Sequence, residues 1–133
     1  MYTFKKDERL CSKKLIEDVF LHGERLMTFP FSVRWRIIPE AEAPFEARAQ
    51  VLISTSKRKF HHAVDRNRVK RLMRECYRLQ KPQLYEFLEQ NHCQLVLAIN
   101  YIHTEIFTFE VLQRKYDKML AALMNDINKR DAE

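Results

Sequence analysis

The chain has 133 residues, 46% of them hydrophobic and 11% aromatic, enough apolar material for one core in a single domain and too much for a disordered basic tail. Its formal net charge is +6, no stretch approaches the roughly 18 to 20 apolar residues of a membrane span, and the start MYTFKKDERLCSKK lacks the apolar centre of a signal peptide, so a cytoplasmic location and no membrane partner are expected. Cys11, Cys76 and Cys93 are odd in number and lack paired ligand spacing, which argues against both a disulfide framework and a zinc site and for reduced, mostly structural thiols.

In chain order, Leu15, Ile16, Val19 and Phe20 form one apolar stripe, predicting a helix over about 12–22 with Ser12 as N-cap and Gly23, the only glycine, as its stop. In TFPFSVRWRII the residues Phe29, Phe31, Val33, Trp35 and Ile37 alternate with Thr28, Pro30, Ser32, Arg34 and Arg36. This is a strand with one buried face, and Pro30 places it at an edge or puts the proline early in it. PEAEAPFEA reads as a loop and RAQVLISTS as a second strand. A basic helix follows, then a short helix starting at Pro82. CQLVLAINYI is expected to be a central strand. Leu112, Tyr116, Met119, Leu120, Leu123 and Ile127 recur at three and four, predicting a long closing helix. No repeat or linker divides this α+β unit.

The excess charge is concentrated in Lys57–Lys81, where ten basic residues stand against Asp65 and Glu75, a net +8. The rest of the chain therefore sums to −2. At about 100° per residue, Val69, Leu72, Met73, Cys76 and Leu79 share one core-facing sector, while Arg66, Asn67, Lys70, Arg71, Arg74 and Arg78 fall opposite. Arg68 lies at the border, and Asp65 is placed as the N-cap. Solvated helix faces ordinarily mix signs. Here Arg66, Lys70, Arg74 and Arg78 follow at i, i+4 with only Glu75 on a flank, and like charges at that spacing cost a few tenths of a kcal/mol each. An unrelieved row of this kind indicates an external polyanion. Arginine dominates it, and its planar fork suits phosphate and stacks on bases.

RNRVKRLMRE, with its lead-in STSK and AV, resembles the RNR signature of the bacterial ribonuclease P protein component. LCSKKLIEDVFLHGERL is similar to that family's N-terminal helix and its glycine stop. The resemblance covers about residues 9–127 of what is expected to be a single RNA-binding domain, 1–133. It implies a compact α/β sandwich similar to one domain of a small-subunit ribosomal protein. The implied order is α-β-β-α-(α)-β-α, with a left-handed crossover around the basic helix. It further implies an accessory subunit without catalytic residues of its own. The RNA partner would cleave the 5′ leader from precursor tRNA, using Mg2+ held mainly by RNA, and no obligate protein partner is expected.

Carried over by position, the resemblance makes Lys57, Arg58, Arg66, Asn67, Arg68, Lys70, Arg71 and Arg74 RNA contacts, and Arg78 continues the same face. Phe20, Phe31, Trp35 and Ser54 are the implied leader-cleft residues. If the polar face of the 28–38 strand lines that cleft, Ser32, Arg34 and Arg36 take their place. Ile16 stands where the family usually has phenylalanine, so one aromatic surface is missing.

His61 and His62 with Asp65 do not make a metal site, since adjacent histidines point apart and no tetrahedral set is supplied. Glu17, Asp18 and Glu24 read as the solvent side of the first helix rather than the carboxylate cluster of a protein nuclease. Two other functions share the basic face. A DNA-binding basic helix is opposed by the lack of heptads and by Pro82, and a ribosome-associated structural RNA binder differs only in its partner.

Overall fold

The computed structural model describes residues 5–132, with side chains through Arg130, so the expected domain 1–133 reaches beyond the described residues at both ends. Helix α1 spans Lys13–His22, strand β1 Glu24–Thr28, β2 Phe31–Pro39 and β3 Ala49–Thr55. They are followed by α2, Ala63–Gln90, β4, Cys93–Tyr101, and α3, Phe109–Ala132. One sheet of order β1-β2-β4-β3 forms the middle layer, with β3 parallel to β4 and the other pairs antiparallel. The α2 and α3 helices cover one face, over Phe31, Val33, Trp35, Val51, Leu95, Leu97 and Ile99. On the other face α1 packs Val19 with Val96, Ala98 and Leu10. β4 lies between β2 and β3 and is covered on both sides, which is why its sequence is a continuous apolar run.

The order differs from expectation in two places. β1 is an additional edge strand, hidden because its exposed Glu24, Arg25 and Met27 obscure the alternation. Pro30 sits in the β1–β2 turn, after a cis Phe29–Pro30 peptide, and β2 is interior. The predicted break at Pro82 is absent, because α2 runs through it for 28 residues. A proline inside a helix costs about 3 kcal/mol, but continuing the helix buries Leu84 and Leu88 on the stripe begun by Val69, Met73, Cys76 and Tyr77. Each such side chain contributes about 1.5–3 kcal/mol, so continuation wins.

Ser12 caps α1 as expected, its hydroxyl accepting from the Leu15 N–H. Gly23 is required for another reason than a left-handed turn, since its φ is −74°. A Cβ there would stand 2.2 Å from the Val19 carbonyl oxygen and 3.0 Å from that of Trp35, so the helix end presses directly onto β2.

Cys76 and Cys93 are buried and Cys11 is exposed. Burial, reinforced by Asp117 and Glu75, pushes the Cys76 thiol up to about 12, and a thiol that stays protonated is a poor nucleophile. A thiol reagent applied to the native protein should therefore modify Cys11 rapidly and reach Cys76 and Cys93 only after denaturation. Fast labelling of Cys76 in the folded state, read by peptide mass, would contradict its place in the core.

Candidate nucleic-acid interface

The basic segment begins with an exposed turn, Lys57, Arg58 and Lys59, closed by Lys59 and Phe60 N–H groups donating to the Ser56 carbonyl. Phe60 anchors the turn in the core. The helix then starts at Ala63, with His62 rather than Asp65 as the N-cap residue. Arg66 explains the earlier start, because its guanidinium donates to the carbonyls of Phe60 at 2.7 Å and His61 at 3.0 Å. This contact folds the loop under the first turn. Asp65 sits inside that turn, where a negative charge still complements the helix dipole.

This geometry divides the predicted cations. Arg66 is half-buried and committed to the loop, and Arg78 is half-buried against Glu75, 2.5 Å away. Lys70 is half-buried. Asn67, Arg68, Arg71 and Arg74 are exposed and, with the 57–59 turn, form the open basic surface. The i, i+4 row read from sequence is thus relieved at both ends, and the outward face is the 67, 68, 71, 74 set. Lys59, which spacing did not single out, belongs to the same surface.

The leader-cleft candidates are also divided. Phe31 and Trp35 are 0% and 2% exposed and point into the core beneath α2 and α3. They cannot line a cleft beside α1, which packs on the opposite face, and belong to the core instead. The pleat puts the polar alternates of β2 on α1's side. There the register aligns Met27, Ser32, Asn100 and Ser54 in one row across all four strands, and the Ser54 hydroxyl lies 3.1 Å from the Asn100 side-chain oxygen. Asn100 was missed, although an asparagine directly after the apolar run 95–99 is a readable signal.

Phe20 stands beside this row in the last turn of α1 and is 45% exposed. Arg34 donates to the Phe20 carbonyl at 2.8 Å, satisfying a helix C-terminal acceptor, and holds its guanidinium 5.9 Å from the ring centroid. Arg36 pairs with Asp18 and so fastens α1 to the sheet. Ile16 is half-buried in the small core under α1. Phe20, Arg34, Ser32, Asn100 and Ser54 therefore make one surface that combines an aromatic ring, a cation and hydrogen-bonding groups, on the opposite side of the sheet from α2.

Among the described residues no three His, Cys, Asp or Glu side chains converge as a metal site. His61 and His62 are both exposed.

A family model described as Ribonuclease P matches residues 4–124. A ribonuclease P protein component of Porphyromonas gingivalis is 32% identical over 126 residues, covering 95% of this chain and 90% of its own. That of Chlorobium phaeobacteroides is 29% identical, covering 89% and 86%. Among solved structures, the ribonuclease P protein of Thermotoga maritima superposes with a TM-score of 0.64 at 19% identity, over 85% of this chain and 94% of its own. A Staphylococcus aureus ribonuclease P protein mutant gives 0.67 at 19% identity, over 89% of both chains. The structural likenesses establish the shared fold. Together with the sequence match over nearly the whole length, they establish that this chain belongs to the bacterial ribonuclease P protein family.

Proposed function

We propose that the protein binds the catalytic RNA of ribonuclease P through the basic turn and the exposed face of α2, and holds the 5′ leader of precursor tRNA on the surface between α1 and the sheet. The carrying observation is the separation of these two surfaces. Lys57, Arg58, Asn67, Arg68, Arg71 and Arg74 are open to a polyanion, while Phe20 with Arg34 and the Ser32–Asn100–Ser54 row lies across the sheet from α2. In this reading Lys70 contributes a partial contact, and Arg66 and Arg78 act chiefly by shaping the helix that presents the others.

The chemistry belongs to the RNA. Mg2+ ions held mainly by RNA phosphates supply the hydrolytic step, and the protein's cations lower the phosphate repulsion that opposes folding of the RNA and docking of the substrate. The buried apolar stripe of α2 commits that helix to the fold, which disfavours a basic region forking across DNA. Among the described residues no helix is long and apolar enough to cross a membrane, and we place the protein in the cytoplasm with its precursor substrates.

The direct experiment is to isolate the protein from cells and sequence the bound nucleic acid. One structured RNA together with precursor tRNA is the expected result; ribosomal RNA or duplex DNA would overturn the assignment. Within the reconstituted complex, Phe20→Ala should weaken precursor tRNA binding about tenfold through lost base stacking and leave mature tRNA unchanged. Equal loss for both, in a folded variant, would remove Phe20 from the leader surface.

A further inference from the structure

The α1-side face of the sheet continues past β2 onto the edge strand β1. Glu24 pairs with Arg130 of α3, and Leu26 packs into the core under α2 and α3, so alternation turns Arg25 and Met27 to the α1 side. The register places Arg25 directly across from Arg34, and Met27 directly across from Ser32. Beyond β2 the Arg25–Arg34 row runs on through Ala98 and Leu52, which lie under α1. Its β1 end is open, with Arg25 exposed and the neighbouring Met27 66% exposed.

Residues directly opposite in an antiparallel pair have Cβ atoms about 4.5–5.5 Å apart, and like charges in that position destabilise the sheet. Among the described residues no carboxylate pairs with either arginine. Asp18 is taken by Arg36, and Arg34 spends one arm of its guanidinium on the Phe20 carbonyl. Guarding an edge strand against unwanted pairing needs only a charge. An acid at position 25 would serve that purpose and would also pair with Arg34, so an arginine there points to an anion from outside the protein. Two planar forks one strand spacing apart, about 4.8 Å, suit the two non-bridging oxygens of a phosphodiester. Resting on the reading of the α1 side as the leader surface, we propose that Arg25 and Arg34 clamp one phosphate of the leader backbone, with Met27 offering apolar contact to the adjoining nucleotide. The clamp reads charge rather than sequence, so it acts on any leader long enough to reach β1.

The test uses the reconstituted complex and precursor tRNAs in which one leader phosphate at a time is replaced by an uncharged methylphosphonate. Wild type should lose about tenfold in affinity at one linkage. Arg25→Gln should bind the unmodified precursor about tenfold more weakly, lose nothing further at that linkage, and match wild type on mature tRNA and in assembly with the catalytic RNA. Arg25→Glu should bind the precursor more weakly still, yet unfold at the same or a higher urea concentration, because it exchanges a repulsive cross-strand pair for an attractive one. Additive losses for Arg25→Gln and the neutral linkage at every position would overturn the proposal. Lower stability in Arg25→Glu would overturn it by making Arg25 a structural residue, and weakened assembly in either variant would assign the arginine pair to the catalytic RNA. If wild type itself fails to prefer precursor over mature tRNA, the leader surface falls as well, whereas a preference undiminished in both Arg25 variants removes only this inference.

Discussion

Replacing Arg68 and Arg71 together by alanine is expected to weaken assembly of the protein with its catalytic RNA by roughly a hundredfold at moderate salt. Both side chains are exposed on α2, and hydrogen bonds to charged groups are worth about 1.5–3 kcal/mol each, so two lost phosphate contacts remove about 3 kcal/mol or more. The salt dependence carries the mechanism. Each phosphate contact contributes about 0.7–0.9 to the slope of log affinity against log salt, so the double variant should be shallower by about 1.4–1.8 units. It should also require more Mg2+ for cleavage, because the lost cations leave phosphate repulsion for metal ions to offset.

Arg78→Ala provides the internal contrast, since the Arg78 guanidinium is already engaged by Glu75, and its removal should change the slope far less. An Arg68/Arg71 variant that is folded and keeps the wild-type slope would show that this face of α2 does not meet RNA.

The division between those arginines illustrates what could be read in the chain. Helical spacing separates the apolar stripe of α2 from its cations, and Val69, Met73 and Cys76 are buried as that spacing requires. Spacing cannot report that Arg66 reaches back to the Phe60 and His61 carbonyls, because that depends on where the helix starts and how the preceding loop folds. Strand β4 was legible because helices cover both of its faces. β1 was not, since an edge strand with Glu24, Arg25 and Met27 exposed has no stripe to show.

The alternation in β2 correctly separates Phe31, Val33 and Trp35 from Ser32, Arg34 and Arg36. Helices pack on both sides of the sheet, however, so polarity alone does not say which face meets α1. Only the register, with Val96 and Ala98 under α1 and Leu95 and Leu97 under α2 and α3, puts the polar set on the same face of the sheet as α1.

The largest effect on stability is expected at a residue that composition would place on the surface. Glu8 is 4% exposed and Lys81 6%, with Lys81 Nζ 3.0 Å from Glu8 Oε2. The Lys5 N–H donates to Glu8 Oε1 at 2.9 Å, and the Tyr85 hydroxyl donates to Oε2. Burial pushes the Tyr85 hydroxyl up, keeping it a donor. This cluster ties the N-terminal segment to α2 on both sides of Pro82, while the adjoining Leu10 N–H donates to the Val51 carbonyl along the edge of β3.

Removing one partner of a buried ion pair costs about 3–5 kcal/mol, because the other charge stays desolvated. Glu8→Ala should lose that much in urea unfolding at neutral pH. Replacing both partners, as Glu8→Leu with Lys81→Met, should recover most of it. Burial by itself would raise the Glu8 carboxyl, but hydrogen bonds from Tyr85, Lys5 and Lys81 outweigh it and leave the group below its ordinary value of 4.5. A carboxyl depressed in the folded state stabilises fully above its unfolded value and loses that contribution as pH falls through the folded one. The gap between wild type and Glu8→Ala should therefore be widest at neutral pH and narrow as the solution becomes more acid than the ordinary carboxylate range. A gap that is absent at neutral pH, or constant on acidification, would mean that Glu8 does not hold the end of α2 through its charge. Because the cluster is remote from Arg68 and Arg71 along α2, the folded fraction of Glu8→Ala should keep the wild-type salt slope for RNA.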